Sequence, residues 1–139
     1  MTVNPYINFE GRCDEAIALY KSAIGAEVTM LMRFKDMPKA AATENCPGPR
    51  EAEKVMHAEL KISDSTVFVS DGRATGQAKF EGISLSISAA NDAQAEKVFR
   101  ALSEGGKVTM PMDKTFFASR FGMCVDRFGV SWMVLCRAR

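Results

Sequence analysis

The only histidine of this 139-residue chain, His57, stands two positions before Glu59 in a stretch of alternating apolar and polar residues. Residues two apart on a strand point the same way, so the imidazole and the carboxylate share a face. A general base with a carboxylate close enough to tune it is the chemistry such a pair can do. The bland alternative is a rim histidine that hydrogen-bonds a neighbour. Met56, Ala58, Leu60 and Ile62 fall on the opposite face and suit packing against a helix, which leaves Val55, His57, Glu59 and Lys61 toward a cavity or solvent. Asp71 ends the run FVSDG, where it is either a site residue or a turn former bonding its own backbone. Arg120 offers a bidentate grip on a carboxylate or phosphate, or else an ion pair at the rim. Asp126 and Arg127 fit a hairpin turn. Cys124 has no obvious base beside it and is a poor nucleophile candidate.

The elements that must position these groups follow from periodicity. Residues 3–9 alternate as a strand, with Tyr6 and Asn8 opposite Val3, Pro5, Ile7 and Phe9. Residues 14–24 carry Ala16, Ile17, Tyr20, Ala23 and Ile24 at helical spacing, and Gly25 stops the helix. Strands are expected at 27–34, 55–62 and 66–70, the last two joined by the turn Ser63-Asp64-Ser65. Residues 35–54 contain three prolines and small side chains and read as a long loop with a short helical turn near Ala40. After a linker at 71–79 the order recurs: a strand at 82–88, and a helix to about residue 103 capped by Asn91 or Asp92. Further strands follow at 107–112, 119–125 and 130–136.

The recurrence is visible in the letters. GAEVTMLM (25–32) returns as GGKVTMPM (105–112), eighty positions later (105 − 25). Two copies are too few for a solenoid, which needs three or more stacked units. They indicate a duplicated β-α-β-β-β unit, with modules at 1–72 and 80–139 in one domain and a natural site between the halves. Composition is that of an ordinary globular protein, 47% hydrophobic and 25% charged. A net charge of +1 with scattered Lys and Arg argues against nucleic acid and anionic membranes as partners. No apolar run reaches the roughly 18 residues of a membrane span, and no signal-peptide pattern opens the chain. The cytoplasm is the expected compartment. Four cysteines without a CxxC pair read as reduced thiols, and nine methionines as adaptable packing or a pliable pocket lining.

PYINFEGRCDEAIALYKSAIGAEV (5–28), MHAELKISDS (56–65), FVSDG (68–72) and FGMCVDRFGVSWMV (121–134) together resemble the vicinal oxygen chelate superfamily of glyoxalases, bleomycin-resistance proteins and extradiol dioxygenases. The resemblance is nearest to its PhnB-like branch, often labelled demethylubiquinone methyltransferase-like. It implies an α+β fold in which two β-α-β-β-β modules form an eight-stranded cup with helices outside, and a homodimer, in some members with exchanged modules. Metal-dependent members place His and Glu ligands on the first and last strands of each module. Matching the turns puts those places on Tyr6 (beside Asn8), on 68–70, on Ile83 or Ser84, and on Met133, none of them His, Asp or Glu. A phenol, an amide and a serine are weak substitutes for imidazole and carboxylate on a divalent ion, so no metal and no cofactor is expected. A methyl-donor cofactor would need a glycine-rich strand-to-helix turn that neither module offers.

The expected function is a metal-independent, PhnB-like small-molecule-binding protein that sequesters or acts on a ligand in the cup. His57 and Glu59 are the candidate catalytic pair. Tyr6, Asn8, Ser84, Phe117, Arg120 and Met133 are the candidate ligand contacts, with Phe116 and Phe121 adding aromatic surface. The alternatives are a metal-dependent lyase or dioxygenase with a non-standard set around His57 and Glu59, and a dimeric scaffold with a filled cup. Function is expected where the halves differ, with Tyr6 and Asn8 against the serines of the fifth strand and His57 against Gly122.

Overall fold

The computed structural model describes residues 1–36 and 51–137. Element order is β1 (Tyr6–Asn8), α1 (Cys13–Ile24), β2 (Glu27–Arg33), a 3-10 turn (Phe34–Asp36), β3 (Val55–Ile62), β4 (Ser65–Ser70), β5 (Leu85–Ser88), α2 (Asp92–Ser103), β6 (Lys107–Asp113), β7 (Ala118–Val125) and β8 (Ser131–Arg137). The chain divides into two compact units, Met1–Ala78 and Lys79–Arg139, and the division falls at the end of the expected linker. Each unit is one β-α-β-β-β module with a four-stranded mixed sheet, ordered β1-β4-β3-β2 in the first and β5-β8-β7-β6 in the second. The fold is therefore α+β, as expected. The turn near Ala40 and Cys46 lie outside the described residues.

In the first unit the apolar face of the sheet carries the core. Ile7, Phe9, Ala58, Leu60, Val67 and Val69 are buried together with Ala16, Ile17, Leu19, Tyr20 and Ala23 of α1. Helix α1 begins at Arg12 without a side-chain cap of its own. The cap comes instead from Asp71, whose Oδ1 accepts from the N–H groups of Gly11 (3.1 Å) and Cys13 (2.8 Å). At the other end Gly25 takes the left-handed conformation (φ 66°) that glycine adopts without a Cβ penalty, and the Ala26 N–H reaches the Tyr20 carbonyl.

The second unit repeats this layout. Helix α2 starts at Asn91, whose side chain accepts from the Gln94 N–H, while the Gln94 side chain accepts from the Ala90 N–H. Its buried Ala95, Val98, Phe99 and Leu102 accompany Cys124, Trp132, Val134 and Cys136 of the sheet. The octapeptide repeat encodes one edge strand of each sheet, β2 and β6. Both slip register between valine and methionine, at Val28/Met30 and at Val108/Met110, so each VTM triplet marks a bulge. Pro111 sits on the edge strand β6, where its missing N–H costs no ladder bond.

Three expectations are corrected. The first strand runs only from Tyr6, because Val3 and Pro5 stay exposed rather than joining the core. The fifth begins at Leu85, leaving Ile83 (74% exposed) and Ser84 ahead of it. Val55, assigned to the polar face of its strand, is fully buried.

Candidate functional site

The face of the first sheet opposite its core carries the polar set. Parallel pairing sets Tyr6 beside Phe68 and Asn8 beside Ser70, while antiparallel pairing sets Phe68 beside Glu59 and Glu59 beside Met30. Tyr6, Phe68, Glu59 and Met30 thus make one row across the sheet. In the adjoining registers Asn8 pairs with Ser70, and His57 pairs with Met32. Tyr6 reaches diagonally out of its row, its Oη lying 3.1 Å from His57 Nδ1. On the other side of the ring, Nε2 lies 3.9 Å from Glu59 Oε2. The His57 and Glu59 side chains remain 26% and 33% exposed, so the pair is open to a ligand yet partly sheltered.

Aromatic surface completes the cluster. Tyr6 stacks on His57 with ring centroids 5.5 Å apart, and Phe68 lies 5.4 Å from the imidazole and 6.0 Å from the phenol. Phe68 belongs to this constellation, although its sequence position points only to a vacated ligand place. Its side-chain direction follows from strand pairing, and register is what sequence periodicity leaves open. Glu59 is steadied from the edge strand, where Thr29 in the bulge donates to its backbone carbonyl (3.2 Å).

Asp71 is not part of the open face. It is 1% exposed, and its second oxygen accepts from the Val55 N–H at 2.7 Å, so it ties the start of β3 to the start of α1. Asp126, 2% exposed, does similar work in the second unit by accepting from the Phe128 and Val130 N–H groups and from Trp132 Nε1. Ser70 is also spent internally, donating to the Met56 carbonyl and accepting from the Gly72 N–H.

Ser84, Phe117, Arg120 and Met133 all belong to the second unit. Arg120 lies on the helix-covered face of its sheet, where Nε is 3.0 Å from Glu96 and Nη1 is 3.6 Å from Asp92, both on α2. The hydrogen bond to Glu96, and after it the charge of Asp92, raise its pKa. This arginine is committed to an ion-pair network and not to the face that carries Met133. Ser84 donates to Ser131 Oγ (2.9 Å). Phe117 packs edge-on between Phe116 and Phe121, with centroids 5.1 and 5.2 Å away. Ladder register makes Ser86, rather than Ser84, the counterpart of Tyr6, since Ser86 pairs with Met133 as Tyr6 pairs with Phe68. It likewise makes Phe121 the counterpart of His57, one place from the Gly122 expected. The row Tyr6-Phe68-Glu59-Met30 becomes Ser86-Met133-Met123-Met110, and its chemistry is gone.

The three described cysteines are buried and unpaired. Burial first, then Asp71, pushes the Cys13 thiol far above its ordinary value. Burial first, then Asp126, pushes Cys124 up to about 11. Neither supplies a thiolate near neutral pH.

Residues 1–135 match the family described as 3-demethylubiquinone-9 3-methyltransferase. The chain belongs to this family. It is 36% identical to protein PA1353 from Pseudomonas aeruginosa, covering 99% of this chain and 98% of that one with a TM-score of 0.83. A Bacillus cereus structure titled a putative 3-demethylubiquinone-9 3-methyltransferase, PhnB protein, shares the fold at 24% identity (TM-score 0.78, 98% of this chain and 99% of that one). The fold extends to a glyoxylase/bleomycin resistance protein/dioxygenase domain from Frankia at 12% identity, TM-score 0.66, over 98% and 94% of the two chains. The fold is thus the one that the resemblance to the vicinal oxygen chelate superfamily implies.

Two groups that these names imply can be tested against the residues present. At the superfamily's metal places, as ladder register sets them, stand a phenol bonded to imidazole, the phenyl ring of Phe68, the hydroxyl of Ser86 and the thioether of Met133. That donor set does not fit a hard or borderline divalent ion. Among the described residues no three His, Cys, Asp or Glu side chains converge. A methyl-donor cofactor fits no better, because the α1 N-terminus that would receive an anionic group is already taken by the Asp71 carboxylate.

Proposed function

We propose that this PhnB-like protein binds a small organic molecule without a metal, on the open face of its first sheet, through Tyr6 and His57. The observation that supports this most is the Tyr6-His57-Glu59 chain of contacts at 3.1 and 3.9 Å, set among the rings of Tyr6, His57 and Phe68. An apolar wall with a few placed polar groups is how proteins hold small ligands. Among the described residues, the buried polar groups of the first unit find their partners without these side chains. Its buried carboxylate and buried hydroxyl are satisfied elsewhere, and no buried side-chain polar atom among the described residues lacks a partner.

The test is a thermal-shift screen of small acids, dicarbonyls and planar aromatics against the native protein and a Tyr6→Phe/His57→Gln double variant. At least one class is expected to raise Tm of the native protein by several degrees, as ligand at about 100-fold its Kd does. The double variant is expected to lose that shift while keeping its own fold. A screen that stabilises neither protein supports a scaffold instead.

The protein is further proposed to act in the cytoplasm as a homodimer. Support comes from the exposed apolar side chains on two of the edge strands, Val28, Met30 and Leu31 on β2 and Val108 and Met110 on β6, which invite pairing with a second copy. Sedimentation equilibrium checks this, and a monomer at micromolar concentration overturns it.

A further inference from the structure

We infer that Glu59 fixes the tautomer of His57 so that Tyr6 becomes a hydrogen-bond acceptor, and that the site therefore selects ligands carrying a neutral, weakly acidic O–H group such as a phenol or enol. This rests on the binding proposed above and names its ligand class.

The imidazole has two neutral forms, and its two contacts decide between them. With the proton on Nδ1, that nitrogen would donate to Tyr6 Oη, and the bare lone pair of Nε2 would face a carboxylate oxygen at 3.9 Å, which is repulsive. With the proton on Nε2, the N–H group lies beside the Glu59 carboxylate (Nε2 to Oε2 3.9 Å) and Nδ1 accepts the phenolic proton of Tyr6 across 3.1 Å. The carboxylate thus favours the second arrangement. The phenol then spends its only proton on the ring, and its oxygen offers lone pairs outward. Tyr6 is half exposed, so those lone pairs are accessible. Hydrogen bonds in a chain polarise one another, so electron density drawn through Nδ1 makes that oxygen a better acceptor than an isolated phenol. A ligand with an O–H completes the chain, whereas its methyl ether offers the same surface but no donor. The neighbouring rings of His57 and Phe68 favour a planar ligand body. Glu59 is here a positioning residue, acting through His57.

One histidine in the chain makes the assignment direct. Long-range proton–nitrogen NMR of the uniformly labelled native protein above pH 8 is expected to show Nε2 protonated and Nδ1 bare. In Glu59→Ala the spectrum is expected to move toward a mixture of both tautomers. A native Nδ1–H tautomer, or a spectrum indifferent to Glu59→Ala, overturns the positioning role whatever binds. The ligand arm uses phenol and anisole, followed by chemical-shift changes at His57. Phenol is expected to bind about tenfold more tightly than anisole, the worth of one hydrogen bond, and Tyr6→Phe is expected to erase that preference. Equal binding of the two overturns the donor selection and leaves the binding site standing. Binding of neither overturns the ligand class and the site together.

Discussion

Asp71 shows how a residue that looks like a site can be spent on the fold. Its carboxylate accepts the N–H groups of Gly11, Cys13 and Val55 at 3.1, 2.8 and 2.7 Å, from segments far apart in the chain. An amide has one oxygen to offer and turns its nitrogen toward a donor, so Asp71→Asn leaves a buried N–H unpaired and removes the charge assistance. The expected cost is about 2–4 kcal/mol in urea unfolding with an unchanged slope, and a loss below about 0.5 kcal/mol would contradict the role. A second consequence concerns Cys124. Its folded thiol, fully buried, is pushed up to about 11 from 9.0, by burial first and then by Asp126. The unfolded thiol ionises near 9.0 and the folded one does not. The associated stability is therefore complete below pH 9 and is lost as pH rises toward 11. Cys124→Ala should flatten the decline of the urea midpoint over that window relative to the native protein; parallel declines would refute it.

Two neighbouring glycines after α2 make a prediction about elements. A Cβ on Gly106 would lie 2.1 Å from the Val125 carbonyl oxygen, so backbone there must move. Gly105 has a positive φ of 76° but only Arg127 side-chain atoms nearby, so alanine meets conformational strain of about 1 kcal/mol. Gly106→Ala should lower Tm several degrees more than Gly105→Ala, and the reverse order would show that the turn rather than the β6–β7 approach sets the constraint. Elements of this kind were largely legible in the sequence. Helix spacing, the glycine stop at 25 and the alternation of 55–62 placed both modules, because each signal is local. The ends of β1 and β5 were not legible, because whether Val3 or Ile83 joins the core depends on partners distant in the chain. The candidate site was half legible. Alternation puts His57 and Glu59 on one face, but only ladder register brings Tyr6 and Phe68 to them and sends Arg120 to the helix side.

At the scale of the whole molecule, duplication preserved registers and let the chemistry diverge. Equivalent rows hold Tyr6, Phe68, Glu59 and Met30 in one unit and Ser86, Met133, Met123 and Met110 in the other. Only the first unit keeps an imidazole and a carboxylate side by side on its open face. Two donors do not make a site for a divalent ion, which takes at least three protein ligands in catalytic centres. The phenol is engaged with Nδ1, and two of the buried thiols resist ionisation. A resident metal at 100-fold its Kd would add about 2.7 kcal/mol, worth several degrees in a domain of this size. The native protein should instead hold its Tm within about 1 °C through EDTA treatment and through addition of zinc, nickel, iron or manganese. Elemental analysis of protein purified without chelator supplies the independent check. Stoichiometric metal that survives gel filtration and disappears in His57→Ala would establish metal-dependent chemistry around His57 and Glu59 in place of metal-free binding.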